Sequence, residues 1–133
     1  MSNKVLFICD NGTEGMLIER ILTGERHDIV RWVCYHDGVL GDAEQDVPDL
    51  IIVEFTICHV DVLHLCQLLR ARPALKHIPI LLWRVSVPQR VHKSVERIGI
   101  QGYLPFVCEP QELVAARDAV LDGDSYYPLD KKA

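Results

Sequence analysis

Residues that could do chemistry lie at the ends of short apolar segments of the sequence. Cys9 and Asp10 end one segment, Glu54 lies near the end of another, Arg84 directly follows a third, and Phe106 comes soon after a fourth. Carboxylate oxygens are the ligands that hard divalent cations prefer, whereas thiols suit soft metals and redox chemistry. Cation binding, thiol chemistry and charge pairing are therefore the chemistries to consider.

The apolar segments predict the strands of a parallel sheet. Several are apolar at nearly every position, which is typical of strands that are buried on both faces. The predicted strands are Lys4–Cys9, Ile29–Tyr35, Asp49–Phe55, Ile78–Trp83 and Gly102–Leu104.

Amphipathic stretches predict a helix after each strand. Gly24 is expected to cap the first helix and Gly99 the fourth, because glycine readily adopts the left-handed conformation of a C-cap. The second helix, between residues 37 and 48, is expected to be short or distorted, and the third begins near Asp61. Five such units predict an α/β fold with helices on both faces and a site outside the carboxyl ends of the strands.

The composition limits the classes of function. The chain has 133 residues, of which 49% are hydrophobic, which suits one domain with a substantial core. A net charge of -5 argues against a domain that grips nucleic acid through its phosphates. No apolar run approaches the ~20 residues of a membrane span, and no signal peptide is visible, so a cytoplasmic protein is expected.

Three segments carry a resemblance to a known family. They are DLIIVEF at 49–55 with the helix that follows it, KHIPILL at 76–82, and GIQGYLP at 99–105. In order and spacing, residues 4–121 resemble the CheY-like receiver domain of bacterial two-component response regulators, which act in phosphorelay signal transduction. The resemblance implies a doubly wound, flavodoxin-like fold, with a five-stranded parallel sheet in the order 2-1-3-4-5.

The resemblance also assigns a role to each site position. In a working receiver, two acids after the first strand hold Mg²⁺, and an Asp ending the third strand accepts a phosphoryl group. A hydroxyl after the fourth strand and a Lys after the fifth bind the phosphoryl oxygens. In this chain Cys9 replaces one acid and only Asp10 remains. Glu54 holds the phosphoacceptor position, Arg84 the hydroxyl position and Phe106 the lysine position.

Most of these positions depart from the pattern. The resemblance therefore implies an atypical pseudo-receiver that acts by protein–protein contact, with no enzyme activity, no catalytic residue and no cofactor. Asp10 alone would be a weak Mg²⁺ ligand. Glu54 either imitates the phosphorylated state or is a carboxylate in a pocket without chemistry. Arg84 either pairs with Asp10 and Glu54 in place of the cation, or points to solvent.

The cysteines support an alternative function, a metal-binding or redox-sensing module on the same scaffold. Cys9, Cys58 and Cys108 map to the rim of the pocket, with His59 nearby and Cys34 and His36 as further candidates. Against this alternative, the five cysteines have irregular spacing and no CxxC motif, which indicates ordinary reduced thiols.

The resemblance also implies a surface for partners. Tyr103 matches the family's switch aromatic; otherwise it is a tyrosine packed at the edge of the fifth strand. Other signalling proteins are expected to bind the face of the fourth helix, fifth strand and fifth helix. A homodimer is a further option, and neither nucleic acid nor membrane is expected as a partner. Residues 1–122 would form the domain, and residues 123–133 a C-terminal tail or the start of a linker to an output domain.

Overall fold

The computed structural model describes residues 2–128 as five strands that alternate with five helices. The strands are β1 (Lys4–Cys9), β2 (Ile29–Cys34), β3 (Leu50–Glu54), β4 (Ile80–Val85) and β5 (Gly102–Pro105). The helices are α1 (Gly12–Arg26), α2 (Val39–Gln45), α3 (Val62–Ala71), α4 (Pro88–Ile98) and α5 (Pro110–Leu121).

The strands form one parallel sheet in the order β2-β1-β3-β4-β5, which confirms the predicted topology. β1 and β3 lie at its centre, where almost every residue is buried. One face packs against α2, α3 and α4, and the other against α1 and α5. A central strand buried on both faces has no need for alternating polar residues, which explains the continuous apolar runs in the sequence. No helix among the described residues is long and apolar enough to cross a bilayer.

The helix ends follow local capping chemistry, with one correction to the predictions. Asn11 caps the start of α1, where its side chain accepts a hydrogen bond from the Thr13 amide at 3.0 Å. α1 passes through Gly24, which was wrongly expected to end it, and stops at His27, whose φ of 59° gives the left-handed cap. Gly99 caps α4 with φ of 86°, as predicted. α2 is short, also as predicted.

A buried ion pair ties α5 to the amino end of β2. Arg117 on α5 donates two hydrogen bonds to the carboxylate of Asp28, which directly precedes β2. The side chain of Asp28 is fully buried, and that of Arg117 is 10% exposed. Asp118 extends the network by accepting hydrogen bonds from Arg117 and from Arg26 at the end of α1.

The segment after α5 returns to the sheet and pairs with β5. Tyr126 forms a parallel bridge with Gly102, its amide donates to the carbonyl of Gln101 at 2.9 Å, and its carbonyl accepts from the amide of Tyr103 at 3.1 Å. A Cβ atom at Gly102 would lie 2.8 Å from the Tyr126 carbonyl, so the close approach requires glycine there. Tyr127 then stacks on Tyr103 with ring centroids 5.9 Å apart. Residues 124–128 therefore cover the free edge of β5.

Candidate functional site

Three of the residues singled out in the sequence, Glu54, Arg84 and Phe106, meet at an open cleft at the carboxyl edge of the sheet. The cleft encloses about 500 Å³ between the ends of β1, β3, β4 and β5. Its lining residues are Asn11, Thr13, Glu14, Glu54, Thr56, Arg84 and Phe106. This is the place where a doubly wound sheet normally carries its site.

Glu54 ends β3 as a buried carboxylate whose two oxygens are both engaged. Its Oε1 accepts the backbone amide of Asp10 at 2.8 Å, and its Oε2 accepts the hydroxyl of Thr56 at 3.0 Å. The residue is only 5% exposed. These two bonds hold the carboxylate between the end of β1 and the loop after β3.

Asp10 lies beside Glu54 but is exposed at the rim. Its Oδ1 accepts the backbone amide of Cys58 at 3.2 Å, which ties the end of β1 to the loop after β3. Cys9, one residue earlier, is fully buried on the α1 and α5 face of the sheet, so its thiol points away from the cleft. Of the two positions that the resemblance assigns to acids, only Asp10 carries a carboxylate, and Asp10 lies at the rim, outside the residues that line the cleft.

Arg84 has an unusual backbone conformation. It lies within β4, and not after it as predicted, at an irregularity between Leu82 and Val85 in the pairing with β5. Its φ is 69°, in the left-handed region that residues other than glycine seldom adopt. That conformation costs about 1–2 kcal/mol, so the surrounding contacts must hold it in place.

The side chain of Arg84 spans the cleft from β4 to α1. Its Nε donates to Oε1 of Glu14 at 2.9 Å, and its Nη1 donates to the carbonyl of Phe106 at 2.7 Å. The guanidinium lies 4.8 Å from the ring centroid of Trp83 and 5.4 Å from that of Phe106. Both expectations for Arg84 are therefore wrong: its carboxylate partner is Glu14, in place of Asp10 and Glu54, and only 23% of its side chain is exposed.

Glu14 is the site residue that sequence reasoning missed. It lies in the first turn of α1, where a negative charge is favoured, and Oε1 accepts both Arg84 and the indole of Trp83. Burial acts against its charged form, but the hydrogen bonds from Arg84 and Trp83 outweigh burial and lower the pKa of Glu14. The hydrogen bond to Glu14 in turn raises the pKa of Arg84. The signal in the sequence that could have identified Glu14 is its place in the first turn of a helix, just after the capping residue Asn11.

The cysteines do not converge on the cleft as a ligand set. Cys58 is exposed on the loop after β3, Cys108 is half-buried after β5, and Cys9 pairs in register with Cys34 of β2. Burial raises the pKa of Cys108, and carboxylates nearby add to the effect. Among residues 2–128, no group of three or more His, Cys, Asp or Glu side chains is placed to hold a metal ion.

Tyr103 is buried on β5, away from the cleft. Its hydroxyl lies 2.9 Å from Nδ1 of His92 on α4, and its ring stacks on Tyr127. The side chain that the resemblance assigns to the switch aromatic is thus held between α4 and the C-terminal segment.

Comparison with known proteins identifies the fold. The crystal structure of a putative response regulator from Chloroflexus aurantiacus superposes with a TM-score of 0.82 and 25% identity, covering 92% of this chain and 99% of that one. The chemotaxis response regulator CheY4 of Vibrio cholerae superposes with a TM-score of 0.79 and 19% identity, covering 90% of this chain and 99% of that one. The chain has the fold of these receiver domains.

A sequence relative points the same way over a shorter span. The response regulator PleD of Caulobacter vibrioides is 30% identical over 84 residues. The aligned region covers 62% of this chain and 18% of PleD, so the chain spans less than a fifth of that relative. No protein-family model matches the chain.

Proposed function

We propose that this chain is an atypical receiver domain of bacterial two-component signalling that acts in the cytoplasm by protein–protein contact, and that it does not accept a phosphoryl group on Glu54. The contact between Arg84 and Glu14 carries the proposal. It places a bound guanidinium at the position where the resemblance expects a hydroxyl.

Phosphoryl transfer to a carboxylate requires charge neutralisation on several sides. In the cleft, Phe106 offers only its ring and a carbonyl at the position where a lysine is expected. Each oxygen of Glu54 already accepts one hydrogen bond, from the Asp10 amide and from the Thr56 hydroxyl respectively. These contacts favour a carboxylate that holds the cleft together over one that reacts, and over one that imitates a phosphoryl group.

The residues present do not fit the Mg²⁺ site that the resemblance implies. Mg²⁺ requires near-octahedral oxygen ligands, and the resemblance implies two acidic side chains after the first strand to supply part of them. Asp10 is the one exposed carboxylate at the expected place, and Cys9 turns its thiol into the core. We therefore propose that Arg84, bound to Glu14, supplies the positive charge of this cleft.

The partner surface that we propose is the face formed by α4, β5 and α5. Tyr126 already pairs with the edge of β5, and Tyr127 stacks on Tyr103. A partner that docks there would therefore contact the C-terminal segment as well as the helices, or displace it. A homodimer through the same face is one form that such a contact could take.

Mg²⁺ titration tests the proposal directly, because Trp83 reports on the cleft. Its indole is bonded to Glu14 and lies under Arg84, so an ion that enters the cleft will alter its fluorescence. Wild-type protein is expected to show no saturable change at millimolar Mg²⁺. The variant Arg84→Asn is expected to gain a fluorescence response to Mg²⁺, because asparagine tolerates positive φ. The substitution Arg90→Asn, at an exposed arginine, serves as the matched control. Saturable Mg²⁺ binding by the wild type would contradict the proposal.

A further inference from the structure

Two cysteines face each other across the edge of the sheet. Cys9 and Cys34 are register partners at the carboxyl ends of β1 and β2. The ladder continues past them, because the Tyr35 amide donates to the Cys9 carbonyl at 2.9 Å. Adjacent strands lie about 4.8 Å apart, which falls within the roughly 4.4–6.8 Å that separates the Cα atoms of a disulfide. The backbone is therefore already positioned for a bridge.

The two thiols also lie on the same face. Cys9 packs with Phe7 in the core on the α1 and α5 side of the sheet, and Trp32, two residues before Cys34, packs against the same core. Because side chains alternate along a strand, Cys34 shares the face of Trp32 and Cys9. Both cysteines are free thiols. Burial, followed by the nearby Cys34 thiol, raises the pKa of Cys9 to about 12. The Cys9 thiol donates its hydrogen bond to the carbonyl of Val33 at 3.5 Å.

The exposure of the pair is asymmetric. Cys34 is exposed at the end of the edge strand β2, whereas Cys9 is 0% exposed beneath it. Of these two thiols, a reagent in solution can thus reach only that of Cys34. A mixed disulfide formed on Cys34 would lie beside the Cys9 thiol. Exposed thiols that have a second thiol within reach are typical of redox-regulated sites.

We propose that Cys9 and Cys34 form a redox modification site that closes to a disulfide when the chain meets a low-molecular-weight disulfide such as oxidised glutathione. The Cys34 thiolate attacks one sulfur of the reagent, forms a mixed disulfide and releases one thiolate, which takes up a proton. Cys9 gives its proton to solvent and attacks the Cys34 sulfur, expelling the second thiolate. Two protein thiols are oxidised and one reagent disulfide is reduced to two thiols.

The second step is the slow one. Cys9 reacts as its thiolate, and with a pKa of about 12 only a small fraction is ionised near neutral pH. The mixed disulfide on Cys34 should therefore form first, and closure should accelerate about tenfold from pH 7 to pH 8. The closed bridge would fix the backbone next to Asp10, whose amide holds Glu54.

Mass spectrometry of the full chain with oxidised glutathione tests the proposal. Cleavage after Lys and Arg and before Asp separates residues 5–9 from residues 32–36, so a bridge between them is identified directly. We expect a species lighter by two hydrogens that carries this cross-link. Cys34→Ser should abolish it, Cys9→Ser should leave glutathione on Cys34, and Cys58→Ser, which removes another exposed cysteine, should retain the cross-link.

Three results would overturn the proposal. These are a stable mixed disulfide on wild-type Cys34 that never closes, a bridge that joins a different pair, and a closure rate that is equal at pH 7 and pH 8. The readout is a mass and does not involve Mg²⁺ or phosphoryl transfer, so the proposed function is tested separately from this site.

Discussion

Two arginine–carboxylate pairs lie at opposite ends of the strands of the sheet. They differ in burial and in backbone strain. At the amino edge, Arg117 and Asp28 are almost completely enclosed, with side chains 10% and 0% exposed. At the carboxyl edge, Arg84 and Glu14 remain partly open, at 23% and 17%. Of these four residues, only Arg84 has a positive φ.

The difference indicates that the buried pair stabilises the fold, whereas the pair at the cleft belongs to the candidate site. The buried pair joins α5 to β2 on the ordinary backbone of a helix and a loop, and its loss would leave a charge in the core. The pair at the cleft requires a strained residue at the position where the resemblance expects a hydroxyl. Strain of this kind persists where neighbouring contacts fix it, often at functional positions. We infer that Arg84 sets the state of the cleft more than the stability of the fold.

The largest expected effect tests the buried pair. Asp28→Ala leaves the guanidinium of Arg117 buried without its main partner, so we expect a loss of about 3–5 kcal/mol in unfolding free energy. Asp118→Ala is the matched control, because the side chain of Asp118 is 40% exposed and its loss should cost less than about 1 kcal/mol. Urea denaturation measures both variants. Equal losses would show that burial does not distinguish the two carboxylates.

A smaller effect measures the strain at the cleft. Arg84→Ala and Arg84→Gly both remove the ion pair, but only glycine adopts φ of 69° without steric cost. We expect Arg84→Gly to be more stable than Arg84→Ala by about 1 kcal/mol in the same denaturation assay. An alanine variant as stable as the glycine variant would contradict the strain that we assign to Arg84.

The smallest effect is a dependence on pH at the cleft. The pKa of Glu14 is lowered in the folded chain, so its pair contributes stability above the ordinary value of 4.5 and loses it as the pH falls through the lower folded pKa. We expect the fluorescence of Trp83 to change in this acid range, below pH 4.5. Glu14→Gln should remove the transition, because its side chain does not titrate. An unchanged transition in that variant would assign it to another group.

The fold followed from local patterns in the sequence. The continuous apolar runs located all five strands to within about two residues at each end, and Gly99 marked the end of α4. The end of α1 was misplaced because Gly24 was taken as the cap, whereas an exposed His27 adopts the left-handed conformation instead. Glycine permits that conformation, but the end of the apolar face decides where a helix stops.

The partners of the charged residues could not be predicted in the same way. Arg84 and Glu14 are 70 residues apart in the sequence, and Arg117 and Asp28 are 89 apart. Their pairing depends on which edge of the sheet each helix end reaches, and on the irregularity in β4 that turns Arg84 toward α1. Neither the composition nor the periodicity of the sequence predicts where the helix ends lie or that β4 is irregular. The pairing of Tyr126 with β5 was missed for the same reason.

Phosphorylation by a small-molecule donor tests the central claim most directly. The full chain is incubated with radiolabelled phosphoramidate and Mg²⁺, and the label retained by the protein is counted before and after treatment with hydroxylamine, which cleaves acyl phosphates. We predict no label that hydroxylamine removes, because the oxygens of Glu54 are engaged by Asp10 and Thr56 and Arg84 is bound to Glu14. Hydroxylamine-labile label that maps to Glu54 or Asp10 would contradict the account.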